Sequence, residues 1–350
     1  MNMAMEKAKE IITSYSGKKI RIMEVCGTHT HEIFKLGIRK ILPENIELIS
    51  GPGCPVCVTE TDYIDEAVYL ALEKNVTICT FGDLIKVPGS SKSLADARSL
   101  GAKIKIVYTP LDALDYARKN LEEEVVFLSV GFETTTPSVC LALMHGIKDK
   151  INNFSLLVAN KTMPNAYRLL KDSADAFLYP GHVNAITGEE ECRRLCKEEG
   201  VSGVIAGFTP EELLDALACI VTESQKGKPF FKNCYQSVVR PDGNKKAVEI
   251  INTYMQPCDS SWRGIGIIPV SGLKLKEEYN SYDARIKYNI PKMDGTKNPA
   301  CRCGEVLKGE CKPTDCKVFG TGCTPYHHVG ACMVSGEGAC SAYYMYGMEG

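Results

Sequence analysis

Short apolar runs alternate with helical periodicity along most of this chain, and no other feature constrains its fold as much. Residues 20–25, 46–50, 76–81, 104–108, 125–130, 154–159, 176–179 and 201–206 each read as a buried strand. Helical spacing follows most of them. In 61–74, for example, Ile64, Ala67, Val68, Ala71 and Leu72 fall on one face. Such repetition predicts parallel sheets with helices on both faces. A chain of 350 residues exceeds what one core usually supports. The expected fold is therefore α/β, with two doubly wound, Rossmann-like parallel-sheet domains at 1–155 and 156–290. Exchange of segments between the two is allowed for, since the first strand could join either sheet.

Ligands of open α/β sheets bind at the carboxyl ends of the strands, which draws the reading to the loops there. The first is Glu24-Val25-Cys26-Gly27-Thr28-His29-Thr30-His31, and the second is Gly51-Pro52-Gly53-Cys54-Pro55-Val56-Cys57. Their three cysteines and two histidines could share one cleft. A helix is predicted over 33–42, capped by Thr28 or Thr30 with Glu32 in its first turn. Cys26 then precedes a helix start, where the dipole and free N–H groups favour a thiolate. A small buried cysteine at a strand end is the alternative. Cys54-Pro55-Val56-Cys57 can form a reversible disulfide or supply two metal ligands. Later loops carry Gly82-Asp83, Gly131-Phe132-Glu133-Thr134-Thr135 and Pro180-Gly181-His182-Val183. Thr136 before Pro137, a Thr187/Glu190 box and Thr209-Pro210-Glu211-Glu212 read as helix caps. No Walker-type loop occurs and no G-x-G-x-x-G opens a helix, so neither common nucleotide site is indicated.

From residue 291 the alternation is lost. Of seventeen cysteines, seven fall in the last 50 residues, and an odd total cannot be a complete disulfide set. Clustered cysteines in a reducing compartment more often bind metal or do redox work. The spacing Cys301-x14-Cys316-x6-Cys323-x16-Cys340, with Cys303, Cys311 and Cys332 interleaved, suits a [4Fe–4S] cluster or a structural zinc. Cys301-x-Cys303 is too close for a zinc pair, which favours the cluster. Residues 291–350 are expected to form a small irregular cysteine-rich iron–sulfur domain. A formal net charge of −2 gives no reason to expect nucleic acid, and no apolar run approaches a membrane span. Residues 1–15 read as an amphipathic helix without the apolar core of a signal peptide, so a cytoplasmic location is expected.

Together these motifs resemble the [NiFe]-hydrogenase maturation family HypD. The matching stretches are Cys26 to His31, Gly51 to Cys57, Phe81-Gly82-Asp83, Gly131 to Thr135 and Pro180 to Val183. They continue through Trp262-Arg263-Gly264-Ile265-Gly266, Asp315-Cys316-Lys317 and Gly338 to Tyr344. Thr209 departs from the pattern, since relatives tend to have glutamate there. The resemblance implies a scaffold on which the Fe(CN)2(CO) unit of the hydrogenase active site is built, with a small HypC-type chaperone and a HypE-type cyanide donor as partners. It implies that Cys26 ligates the iron, that Cys54 and Cys57 line the same cleft, and that Cys301, Cys316, Cys323 and Cys340 hold the [4Fe–4S] cluster. Cys303 and Cys332 become a redox pair beside the cluster. His29, His31, Asp83, Glu133 and His182 become hydrogen-bonding or proton-transfer groups around the iron, with plain loop or helix capping as the alternative for each. An iron–sulfur thiol–disulfide oxidoreductase acting through Cys54 and Cys57, and a zinc-stabilised binding module, are the competing readings.

Overall fold

The structure, a computed structural model, describes residues 3–347. Two parallel sheets organise it. The first contains β1 (Ile20–Glu24), β2 (Ile46–Ser50), β7 (Ala176–Pro180), β8 (Gly203–Ala206) and β9 (Phe231–Asn233), in the order β2-β1-β7-β8-β9. The second contains β3 (Thr77–Thr80), β4 (Ile104–Ile106), β5 (Val125–Ser129) and β6 (Phe154–Val158), in the order β4-β3-β5-β6. An antiparallel ribbon of β10 (Met255–Trp262) and β11 (Gly266–Leu275) packs beside the second sheet. The fold is thus α/β with two parallel-sheet domains, as the alternation requires.

Strand membership corrects the expected division near residue 155. β1 pairs with β2 on one side and with β7 on the other, so the segment carrying β3 to β6 is inserted between two parts of one domain. The helix Thr61–Glu73 carries the chain out, and the segment beginning with the helix Pro164–Leu169 brings it back. Local sequence has no means of fixing a pairing between strands about 150 residues apart.

Period-2 alternation divides each strand between two cores. Ile22, Leu48, Leu178 and Val204 face one side of the first sheet, against Leu213, Leu217 and Ile220 of the helix Pro210–Ser224 and Ile12 of the N-terminal helix. Cys79, Phe127 and Leu156 turn to the far side of the second sheet, against Leu114, Leu143, Met255 and Leu275. The inner faces share one core, where Met23, Phe177 and Ile205 join Ile78, Val126 and Leu128.

Leu307, Cys323, Cys332, Met333 and Cys340 of the C-terminal segment enter that same shared core. The segment is irregular between the short helices Cys303–Leu307, Ala331–Val334 and Ala339–Tyr346. Its last helix lies on Gly27–Lys35, with the Phe34 and Tyr343 rings 4.5 Å apart. The Arg39 guanidinium sits over Phe34, donates to the Leu48 carbonyl at 2.7 Å and pairs with Glu24, which has no exposed surface. Burial raises the Glu24 carboxyl above its ordinary value, and the Arg39 charge opposes that.

Removing one member of this pair strands a charge in the core. Arg39→Met is expected to cost about 3–5 kcal/mol in urea unfolding. Adding Glu24→Gln is expected to recover more than half of that loss; an equal or larger loss in the double variant would show that the pair is not what the charge serves.

Candidate functional site

Each sheet reverses its strand order once, and ligand crevices form at such points. In the first sheet the reversal lies between β1, followed by Cys26, and β7, followed directly by a helix, Gly181–Thr187, with His182 in its first turn. In the second it lies between β3 and β5, followed by Asp83 and Glu133. Four of the loop residues singled out by sequence therefore occupy the two topological switch points.

Cys26 is itself the N-cap of the helix, which begins at Gly27 and not near residue 33. Neither threonine caps it; Thr30 Oγ1 instead bonds back to the Cys26 carbonyl at 3.3 Å. The backbone N–H groups of Thr28 and His29 point at the sulfur, as a helix start should provide. Burial nevertheless dominates. It pushes the thiol up to about 11, with the Glu337 carboxylate adding to the rise and those N–H groups opposing it. The expectation of a thiolate favoured by the helix start is corrected to a buried, protonated thiol, in line with the alternative of a small buried cysteine at a strand end. Gly53 makes the contact possible, since a Cβ there would lie 2.2 Å from the Cys26 nitrogen.

His29 is fully buried and its Nε2 lies 2.9 Å from the Gly207 carbonyl, which assigns the proton to Nε2. Nδ1 is buried without a partner. Burial lowers its pKa to about 4, so the ring is neutral near pH 7. Phe208 stacks on His29 at 4.6 Å and on exposed His182 at 3.8 Å, joining the two histidines through one ring. His31 is not brought to this group; its Nε2 meets the Tyr346 hydroxyl at 3.1 Å and helps fasten the last helix.

Glu133 accepts the Met163 N–H at 2.9 Å through Oε1, while Oε2 is buried without a partner. Burial raises this carboxyl to about 7. Asp83 is exposed and accepts from Ser335 Oγ at 3.0 Å. Sequence reasoning missed Tyr167, Phe208 and Glu337. The Tyr167 hydroxyl is buried without a partner and feels the charges of both Glu133 and Cys26. No local motif marks it. Glu337 lies across the Cys26 loop, where a Cβ on Gly27 would meet its carbonyl oxygen at 2.4 Å.

Cys54 and Cys57 are joined as a disulfide, and Cys57 Sγ lies 3.9 Å from the carbonyl oxygen of Ala331, the residue before Cys332. In the tail, the Cys301 and Cys303 sulfurs are 3.1 Å apart, and Cys332 is hydrogen-bonded with both Cys303 and Cys340. Cys301, Cys303, Cys316, Cys323 and Cys340 line a small cavity with Val306, Val318, Phe319 and Met333. A Cβ on Gly330 would lie 2.4 Å from the Cys301 sulfur, so only glycine closes this wall. Cys311 lies apart, in a cavity with Glu47 and Tyr343.

The four cysteines expected to hold a [4Fe–4S] cluster therefore share one apolar lining, and their soft sulfur donors suit iron. Donation from Cys303 and Cys332 lowers Cys340 to about 6, and the Val329 N–H points at Cys323 Sγ from 3.4 Å. Among the described residues, no three His, Cys, Asp or Glu side chains are grouped to hold a single metal ion.

The HypD family model, described as "Hydrogenase formation hypA family", matches residues 2–347. Hydrogenase maturation factor HypD of Rhodobacter capsulatus is 41% identical over 339 residues, covering 94% of this chain and 90% of the relative. The protein of the same name from Escherichia coli K12 is 41% identical over 339 residues, covering 95% and 91%. That from Cupriavidus necator is 39% identical over 343 residues, covering 95% and 90%.

Glu133 provides a pH signature for the site. Its carboxyl is raised in the folded protein, so the unfolded chain releases its proton first and wild-type stability falls as pH rises from about 4.5 to about 7. Glu133→Gln removes that loss. The variant is expected to match wild type near pH 4 and to exceed it by roughly 3 kcal/mol above pH ~7.5 in denaturant unfolding. A pH-independent difference would show that Glu133 is ionised in the fold.

Proposed function

The chain belongs to the HypD family of hydrogenase maturation factors, and on that premise we propose that it is an iron–sulfur scaffold on which the Fe(CN)2(CO) unit of a [NiFe]-hydrogenase is assembled. One observation carries the reading. Cysteines from three distant stretches meet in or beside one core, because residues 331–337 lie against both the Cys54–Cys57 disulfide and the loop of Cys26.

In this reading Cys26 ligates the incoming iron, opposite a cysteine from a HypC-type chaperone, and a HypE-type protein brings the cyanide. Soft thiolate suits low-spin iron, and ligation displaces the thiol proton that burial otherwise retains. The N–H groups of Thr28 and His29 at the helix start compensate negative charge on sulfur and cyanide without an extra cation. Glu133, raised to about 7, exchanges a proton near neutral pH, and the Tyr167 hydroxyl lies within its field and that of Cys26. Neutral His29 holds its orientation through Gly207, and His182 offers the solvent-facing proton exchange.

Cys301, Cys316, Cys323 and Cys340 would hold the [4Fe–4S] cluster, which supplies one-electron steps when bound. Cys303 touches Cys301 and its thiol acts on that of Cys332, whose neighbour Ala331 lies against Cys57, so this pair would relay between the cluster ligands and the disulfide. Two electrons and two protons convert the Cys54–Cys57 disulfide into two thiols beside the iron loop.

Cys26→Ser keeps the size of the side chain and weakens soft-metal binding. Protein purified anaerobically with its chaperone is expected to lose its CN and CO infrared bands while the fold and tail iron remain; bands at full intensity would remove Cys26 as the ligand. Cys316→Ala and Cys323→Ala are each expected to lose iron and acid-labile sulfide, whereas Cys311→Ala keeps them. Full iron in either of the first two would contradict the ligand set.

A further inference from the structure

Cys301 and Cys303 line a second, open cleft of about 1000 Å³ on the solvent side of the tail. Its walls carry Lys86, Lys92, Arg263, Lys297, Arg302 and Lys308 against the carboxylates of Asp96 and Glu305. Part of this charge is matched locally: Lys297 pairs with Glu60 at 3.0 Å, Lys308 with Glu310 at 2.9 Å, and Arg302 with Glu305. The ammonium groups of Lys86 and Lys92 are exposed and make no side-chain hydrogen bond or ion pair among the described residues, although the Lys92 charge acts on Asp96. Arg263 is buried and donates to the neutral carbonyls of Thr59 at 2.6 Å and Pro88 at 3.3 Å, with its charge beside Cys301, Cys303 and Cys332. Tyr326 stands at the rim with 93% of its surface exposed.

A chain of net charge −2 thus concentrates positive charge beside half-buried Cys301 and buried Cys303. Local fields of this kind steer a partner of opposite sign, and an exposed tyrosine beside a groove is a common protein anchor. We propose that this cleft is the docking surface for a small acidic one-electron carrier protein of the ferredoxin type, which delivers electrons to the cysteine centre. The proposal rests on the cluster reading above. Each carrier is oxidised by one electron; two successive carriers and two protons from solvent account for opening the Cys54–Cys57 disulfide to two thiols. The openness of the cleft, its free lysines and its exposed aromatic favour a folded acidic partner over a small anion.

The test is calorimetric titration of the anaerobically purified full chain with an oxidised acidic ferredoxin. Binding is expected at about 20 mM salt and is expected to weaken at least ~tenfold by about 200 mM. Lys86→Glu with Lys92→Glu is expected to weaken it at least ~tenfold, and Lys86→Gln with Lys92→Gln by less, since both sites are exposed. Lys119→Glu with Lys148→Glu, on distant exposed helix positions, is expected to leave it unchanged. No saturable binding, or binding equal in the wild-type and Lys86/Lys92 proteins, would overturn the proposal. So would binding of inorganic phosphate that is lost in the charge-reversed variant while ferredoxin fails to bind either protein. Iron and sulfide are measured on the same samples. Docking without iron would contradict the cluster reading alone, and iron without docking would contradict the docking surface alone.

Discussion

The close seating of the C-terminal segment against two glycine-lined loops is the contact on which the remaining arrangement depends. Gly27 admits the backbone of Glu337, Gly53 admits Cys26, and Gly330 admits the sulfurs of Cys301 and Cys303. Each approach is closer than a Cβ permits, so a methyl group at any one would push a cysteine-bearing segment away from its neighbour. The segment has little regular structure of its own and borrows its core from the two sheets. Its cysteines are positioned by the αβ body, while Cys57 and the Cys26 loop of the body lie against the segment.

That mutual burial sets the chemistry. Cys26 stands at a helix start, a position that ordinarily favours thiolate, yet desolvation outweighs the N–H groups and holds the thiol protonated. In the proposed role a soft metal ion would reverse this balance by displacing the proton, while the protonated thiol reacts slowly with alkylating agents and oxidants. Burial likewise raises Glu133 into the neutral range and lowers His29 out of it. One desolvated site therefore separates a group able to exchange a proton near pH 7 from one that stays neutral and structural.

The strands and the loops after them were legible because alternation and cap residues are local properties; Thr209 with Glu212 and Ser93 with Asp96 form complete capping boxes. The start of the Cys26 helix was not legible, because apolar spacing at Phe34, Ile38 and Ile41 pulled it forward. In the structure that stretch is broken at Gly37, which has a φ of 66°. A glycine also ended the proposed Thr187/Glu190 box: Gly188, at φ 81°, separates the helices Gly181–Thr187 and Glu190–Glu199. Which strand joins which sheet, and hence the Phe208 stack between His29 and His182, depends on β1 lying beside β7. Only tertiary packing decides that. The tail cysteines showed their spacing in sequence but not their neighbours, since Cys303 and Cys332 meet only after the chain has closed around Gly330.

The central claim is that the tail pair and the Cys54–Cys57 disulfide form one connected redox centre. Mass-spectrometric mapping of cysteine state after anaerobic reduction with a one-electron donor tests it most directly, in wild type and in Cys332→Ser, with iron and sulfide verified in both. The account predicts that Cys54 and Cys57 become free thiols in wild type and stay joined in Cys332→Ser. Equal reduction of the disulfide in the two proteins would contradict it.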